Sequence, residues 1–145
     1  MTCYAVYLES AEGGPWLGHV PSLPGCNARA ESREEVLAAL PGAIRAHHSW
    51  LRHHGEPAPG PEEPMVLEVA AEIRGVGPFE PGDVAALLPS DQEPVSAREM
   101  EIHFRLMDCS RRDLLALVDN LCDDFLDWQP DPDSLSLRQV LRHVG

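Results

Sequence analysis

A chain of 145 residues with 43% apolar side chains can form one compact domain or two small ones. No apolar run approaches the ~20 residues that span a bilayer, so no membrane partner is expected. The net charge of −13 is uneven, −2 over residues 1–60 and −11 over residues 61–145, and all 11 cationic side chains are arginine. The acidic second half repels phosphate backbones, which argues against direct nucleic-acid binding and for a protein partner of basic character.

Met1-Thr-Cys-Tyr4 carries no basic region followed by an apolar stretch, so a reducing cytoplasm is the expected compartment. Cys3, Cys26, Cys109 and Cys122 are spaced by 23, 83 and 13 residues, outside any Cys-x-x-Cys metal or redox pattern, and are expected as thiols.

Residues 3–9 alternate, with Tyr4, Val6 and Leu8 on one side and Cys3, Ala5 and Tyr7 on the other; both sides are largely apolar, which predicts a central strand. Glu9 to Pro15 is a turn by composition, and Trp16 to Val20 form the return strand of a hairpin. Val20-Pro-Ser-Leu-Pro-Gly25 then packs two prolines and a glycine into six residues. Proline lacks the amide donor and glycine admits positive φ, so this run is a shaped turn, not a strand. A short third strand is predicted near Asn27–Ala30.

Ser32-Arg-Glu-Glu35 has capping-box spacing and starts a helix. Val36, Leu40, Ala43, Ile44, His47 and Leu51 form its expected buried stripe. Pro41 removes one intrahelical bond and collides with the carbonyl of Leu37, so a kink is expected near Leu37–Gly42. Gly55 to Pro64, with four prolines and two glycines in ten residues, is a loop, and Met65–Ile73 is the last strand.

This order of motifs, with Tyr4-Ala-Val-Tyr-Leu8, Gly14-Pro-Trp16-Leu-Gly-His-Val20, the Pro-Ser-Leu-Pro-Gly turn and the Ser32 cap, resembles the HicB-like antitoxin family over residues 1–74. The resemblance implies an α+β domain of β-β-β-α-β order. It also implies a binding role, the neutralisation of a small ribonuclease toxin by covering its active site. Ala30 stands where that family usually has glycine before the helix cap, and neither a ribbon-helix-helix nor a basic helix-turn-helix is recognisable. Trp16, His19, Pro21, Leu23, Pro24 and Gly25 are the candidate contact surface; the alternative is that they only shape the sheet.

Residues 75–96 read as a Pro/Gly-rich connector with room for a short helix at Asp83–Leu88. Met100, Phe104, Met107, Arg111, Leu114, Val118, Leu121, Phe125 and Trp128 follow at alternating four- and three-residue steps, which predicts one helix of about 30 residues, ~45 Å long. Ser134 or Ser136 can cap a second helix, so residues 97–145 are expected as an α-helical hairpin, the first half of a four-helix bundle. An exposed seam on such a hairpin predicts a homodimer through residues 97–145.

Leu126-Asp-Trp128-Gln-Pro130 and Ser136-Leu-Arg-Gln-Val-Leu-Arg-His143-Val resemble the start of the DinB-like metal-dependent hydrolase or transferase superfamily. The resemblance implies that a histidine late in the second helix is one of three ligands to a divalent metal, the other two coming from a later helix; His143 matches the first. No further helix precedes Gly145, so the chain as it stands is expected to hold no cofactor and to lack that activity. Zinc or nickel is implied for a longer parent protein, and the alternative for His143 is a cation favoured by the helix C-terminus. His47, His48, His53 and His54 form a second cluster, but His47 and His54 lie ~10 Å apart on one face, too far to share an ion. No Ser/His/Asp order, Gly-rich phosphate loop or lysine offers a route to other catalysis.

Overall fold

The computed structural model describes residues 1–75 and 88–144. The chain divides into two compact units, Met1–Ala97 and Arg98–Gly145. Among the described residues no helix is long and apolar enough to cross a membrane. The class is α+β.

In the first unit four strands, β1 (Thr2–Ser10), β2 (Trp16–His19), β3 (Asn27–Ala30) and β4 (Met65–Arg74), form a sheet in the order β3-β2-β1-β4. Strands β1, β2 and β3 pair antiparallel, and β4 returns parallel to β1 after helix α1 (Arg33–His53). β1 is therefore interior, as its two apolar sides suggest. It also runs further than composition implies: Glu9 and Ser10 stay in the ladder, opposite Leu17 and Trp16, so the turn begins at Ala11.

Tyr4, Val6 and Leu8 of β1, with Val20 just past the end of β2, meet Val36, Leu40 and Ile44 of α1 to form the core. Gly18 belongs to this contact because there is no room for a side chain. A Cβ there would lie 2.6 Å from Cγ1 of Val36 and 3.1 Å from Cδ1 of Leu40. A register shift between Val6 and Tyr7 then changes which residues of β4 face the helix. Before it Leu67 and Val69 lie opposite Tyr4 and Val6; after it Glu72 lies opposite Leu8 and bonds Arg33 in the first turn of α1, Nε to Oε2 2.8 Å.

The N-cap of α1 is reciprocal: the Glu35 amide donates to the Ser32 hydroxyl and the Ser32 amide to the Glu35 carboxylate, both at 3.2 Å. The helix continues unbroken through Pro41 to His53. Burial of Leu40 and Ile44 on either side of the proline holds it in place. The buried stripe is Val36, Leu40, Ile44, His48 and Leu51, so His48 and not His47 faces inward.

The expected helix at Asp83–Leu88 lies, except for Leu88, outside the described residues; a 3-10 turn occupies Pro89–Gln92. In the second unit the long helix is interrupted: α2 (Ala97–Val118) ends at a turn, α3 (Asp123–Asp127) is short, and α4 (Leu137–Val144) follows. Asp119 and Asn120 explain the break, since their short polar side chains compete for backbone groups and favour turns over helix interiors. The anticipated seam does not form one stripe. Phe104, Met107, Phe125 and Trp128 are exposed, whereas Leu106 and Cys109, off the seam, are buried. α4 packs against α3, where Arg138 bonds Asp123 and Asp127 at 2.6 Å each. Ser136 is its cap, exchanging hydrogen bonds with Gln139.

Candidate functional site

The proline turn is built by three backbone hydrogen bonds. The Val20 amide donates to the Cys26 carbonyl (3.1 Å), Leu23 to Val20 (2.8 Å) and Cys26 to Leu23 (2.8 Å). Gly25 supplies the left-handed φ of 83° that closes the run, a backbone conformation a side chain would strain. Val20, Cys26 and half-buried Leu23 pack on the core, which leaves Pro21, Pro24 and Gly25 exposed. The turn is thus anchored from below and presented outward.

Trp16 and His19 do not join those residues in one patch. Trp16 sits at the far end of β2, packs against the core, and carries the Arg74 guanidinium 5.3 Å above its ring. With Ser10, Gly14 and Gly75 they border a cavity of about 570 Å³ beside the β1–β2 hairpin. His19 lies three residues on, where strand alternation turns it to the opposite face. There its Nε2 meets Oε1 of Glu9 at 2.7 Å. Glu9 is 3% exposed and the His19 side chain 32%. Composition assigns Glu9 to a solvated turn; only hairpin register could reveal this pairing.

A second polar pair crosses the core. The Tyr4 hydroxyl and Nε2 of His48 are 3.0 Å apart, both side chains buried. Burial first, then the negative charges of Glu63 and Cys26, push the Tyr4 hydroxyl up. His48 is held below the ordinary imidazole range, chiefly by burial, then by the Arg52 cation, with Glu63 opposing. His47 is lowered by burial and by His48, and its Nε2 is buried without a hydrogen-bond partner among the described residues. The other histidines stack: His54 packs edge-on to Trp50 at 4.9 Å and to His53 at 5.2 Å. Burial also raises the Cys26 thiol, and all four cysteines are thiols.

His143 lies in the last turn of α4, exposed. Among the described residues no three His, Cys, Asp or Glu side chains gather closely enough to hold a metal ion. One imidazole does not suffice for a transition metal, so these residues do not fit the divalent-metal centre of the DinB-like resemblance.

Comparison with known proteins gives partial matches to this chain. It is 36% identical over 56 residues to a UPF0150 protein of Thermoplasma acidophilum, an alignment covering 39% of this chain and 81% of that protein. The chain belongs to the UPF0150 family. A second UPF0150 protein, from Archaeoglobus fulgidus, is 36% identical over 44 residues, 30% of this chain and 64% of the relative. The DinB superfamily profile matches residues 106–145, a span that begins inside α2 and includes His143. No solved structure gives a significant match.

Proposed function

We propose that the chain is a non-catalytic protein-interaction module, its UPF0150 sheet unit acting as a HicB-like regulatory domain carried beside a DinB-like helical segment. The carrying observation is the turn at Val20–Cys26. Its three internal hydrogen bonds, buried Val20 and half-buried Leu23 fix a shape before any partner arrives, and its outer residues Pro21, Pro24 and Gly25 remain exposed. Preorganisation of this kind lowers the ordering cost of association. The net charge of −13 favours a basic partner, and the second unit pairs with a second copy through its exposed apolar side chains. Cytoplasmic residence suits such a role.

Inhibition of RNA cleavage by a small ribonuclease toxin of the kind HicB-like antitoxins neutralise tests this. Stoichiometric inhibition by the full chain, weakened at least tenfold in a Pro21→Ser/Pro24→Ser variant, supports the reading. Full cleavage at excess chain overturns it.

The DinB match at residues 106–145 favours a second reading, a metal-dependent hydrolase or transferase whose remaining ligands lie elsewhere in a longer parent. Stoichiometric zinc or nickel binding by calorimetry, lost in His143→Ala, would turn the assignment that way.

A further inference from the structure

We infer that the Trp16–Arg74 corner of the sheet is a binding site for a small monocarboxylate with a flat apolar body, a site separate from the proline turn and independent of the interaction-module reading.

Register builds the corner. Ser10 lies opposite Trp16 on β2 and opposite Arg74 on β4, so the three stand in a row at one end of the sheet, on the side that carries α1. The shift between Val6 and Tyr7 makes this row. Unshifted pairing would set Ile73 opposite Ser10 and turn Glu72 and Arg74 to the other face. Beside the row, Trp16, Arg74 and the hairpin turn line the cavity of about 570 Å³, a size that suits a small molecule.

Two cations share one anion here. Guanidinium groups stay protonated, and Glu72, held below the ordinary carboxylate range first by its hydrogen bond from Arg33 and then by that from Arg74, is ionised. Arg33 occupies Oε2 at 2.8 Å, and Arg74 occupies Oε1 through Nε at 2.9 Å and Nη2 at 2.6 Å. The Nη1 donors of Arg74 and its second Nη2–H, the far edge of the fork, have no partner among the described residues. Trp16 supports the same guanidinium, 5.3 Å from the ring centroid, while 70% of the Arg74 side chain stays exposed. A carboxylate on one edge and an aromatic floor thus fix the cation's orientation and leave its other edge open. Such a preset fork matches a planar carboxylate bidentately.

The neighbouring acids limit the ligand's charge. Glu12, exposed on the turn, lines the same cavity, and Glu34 acts on Arg33 from the first turn of α1. A dianion such as a phosphate monoester is opposed by both and by the overall charge of −13, whereas one carboxylate is matched by the one open guanidinium edge. Trp16 and Ala11 give its apolar body a surface to lie against.

The test is fluorine NMR of the full chain carrying 5-fluorotryptophan, with resonances assigned from Trp16→Phe, Trp50→Phe and Trp128→Phe variants, titrated with benzoate. Trp16 should show a saturable shift at millimolar benzoate. Its neutral isostere benzamide should bind at least fivefold more weakly, and phenyl phosphate no more tightly than benzoate. Arg74→Gln removes the cation at an exposed position and should reduce benzoate to the benzamide level, with an unmoved Trp50 resonance reporting a folded chain. Arg74→Lys keeps the charge without the fork and should also weaken benzoate. Benzamide as tight as benzoate, tighter phenyl phosphate, unchanged binding in a folded Arg74→Gln, a response confined to Trp50 or Trp128, or no saturable shift would each overturn the site. The ligand series on the wild-type chain decides if Arg74→Gln does not fold. Ribonuclease inhibition is unaffected by either result, so this site and the module reading fail separately.

Discussion

Gly18 shows how tightly one residue can control this fold. Its α-carbon faces Val36, Leu40 and Leu8 at distances where a methyl group would lie 2.6, 3.1 and 3.2 Å from their side chains. Gly18→Ala must push α1 from the sheet or force its side chains off their rotamers. The expected loss is about 1–3 kcal/mol, the range for overpacked cores, read as a lower urea midpoint with an unchanged slope. An unaltered midpoint would mean that α1 is not seated on β2. His48 gives the second residue-scale prediction. Its folded-state pKa lies below the ordinary 6.5, so the unfolded chain binds the proton more readily. The stability it supports is complete above pH 6.5 and is lost as pH falls through the folded value. His47 acts in the same direction, whereas Glu72, held down mainly by its hydrogen bonds to Arg33 and Arg74, responds only below the ordinary 4.5. Unfolding free energy should therefore fall between pH 7.5 and pH 5, and the slope should flatten in His48→Gln, which keeps a partner for Tyr4. An identical slope in that variant would remove His48 from the account.

At the scale of elements, local chemistry was the readable part. The Ser32–Glu35 box, the short strand at Asn27–Ala30 and the proline turn each depend on neighbours within a few positions, and each stands where those neighbours imply. What could not be read were the choices made by distant partners. A 3.6-residue period does not decide between His47 and His48; Tyr4, 44 positions away, decides it. Glu9 looks like a turn residue until His19 is placed beside it by the hairpin. In the second unit a regular apolar spacing concealed the break after Val118, because spacing alone ignores the turn preference of Asp119-Asn120. Of the candidate contact residues, Pro21, Pro24 and Gly25 share the exposed turn with half-buried Leu23, while Trp16 and His19 lie on opposite faces of β2. Pro41 remains a local cost that tertiary packing outweighs. Pro41→Ala restores an amide donor for Leu37 and removes the ring clash, against a smaller gain in unfolded-chain entropy. Thermal unfolding should show a higher midpoint, with a gain of up to about 3 kcal/mol. A lower midpoint would show that the ring itself packs productively.

The whole molecule joins an acidic surface to an unusual amount of exposed apolar side chain. Met100, Phe104 and Met107 recur at four- and three-residue steps on α2, with 44%, 58% and 64% of their surface exposed, and Phe125 and Trp128 are exposed at 68% and 65%. Such side chains drive association, whereas a net charge of −13 on each of the two copies opposes it. Salt screens the repulsion, with a Debye length near 10 Å at 0.1 M, but leaves the apolar attraction in place. Self-association should therefore strengthen as ionic strength rises, the reverse of an assembly held by ion pairs. Light scattering on the full chain at micromolar concentration should give twice the monomer mass at 0.3 M salt and a lower average mass at 0.02 M. Phe104→Glu/Met107→Glu should remain monomeric at both, and because both positions are exposed it should keep the wild-type helical signal. A monomeric wild-type chain at 0.3 M salt would remove the second copy from the proposed function and leave the sheet unit as its binding surface.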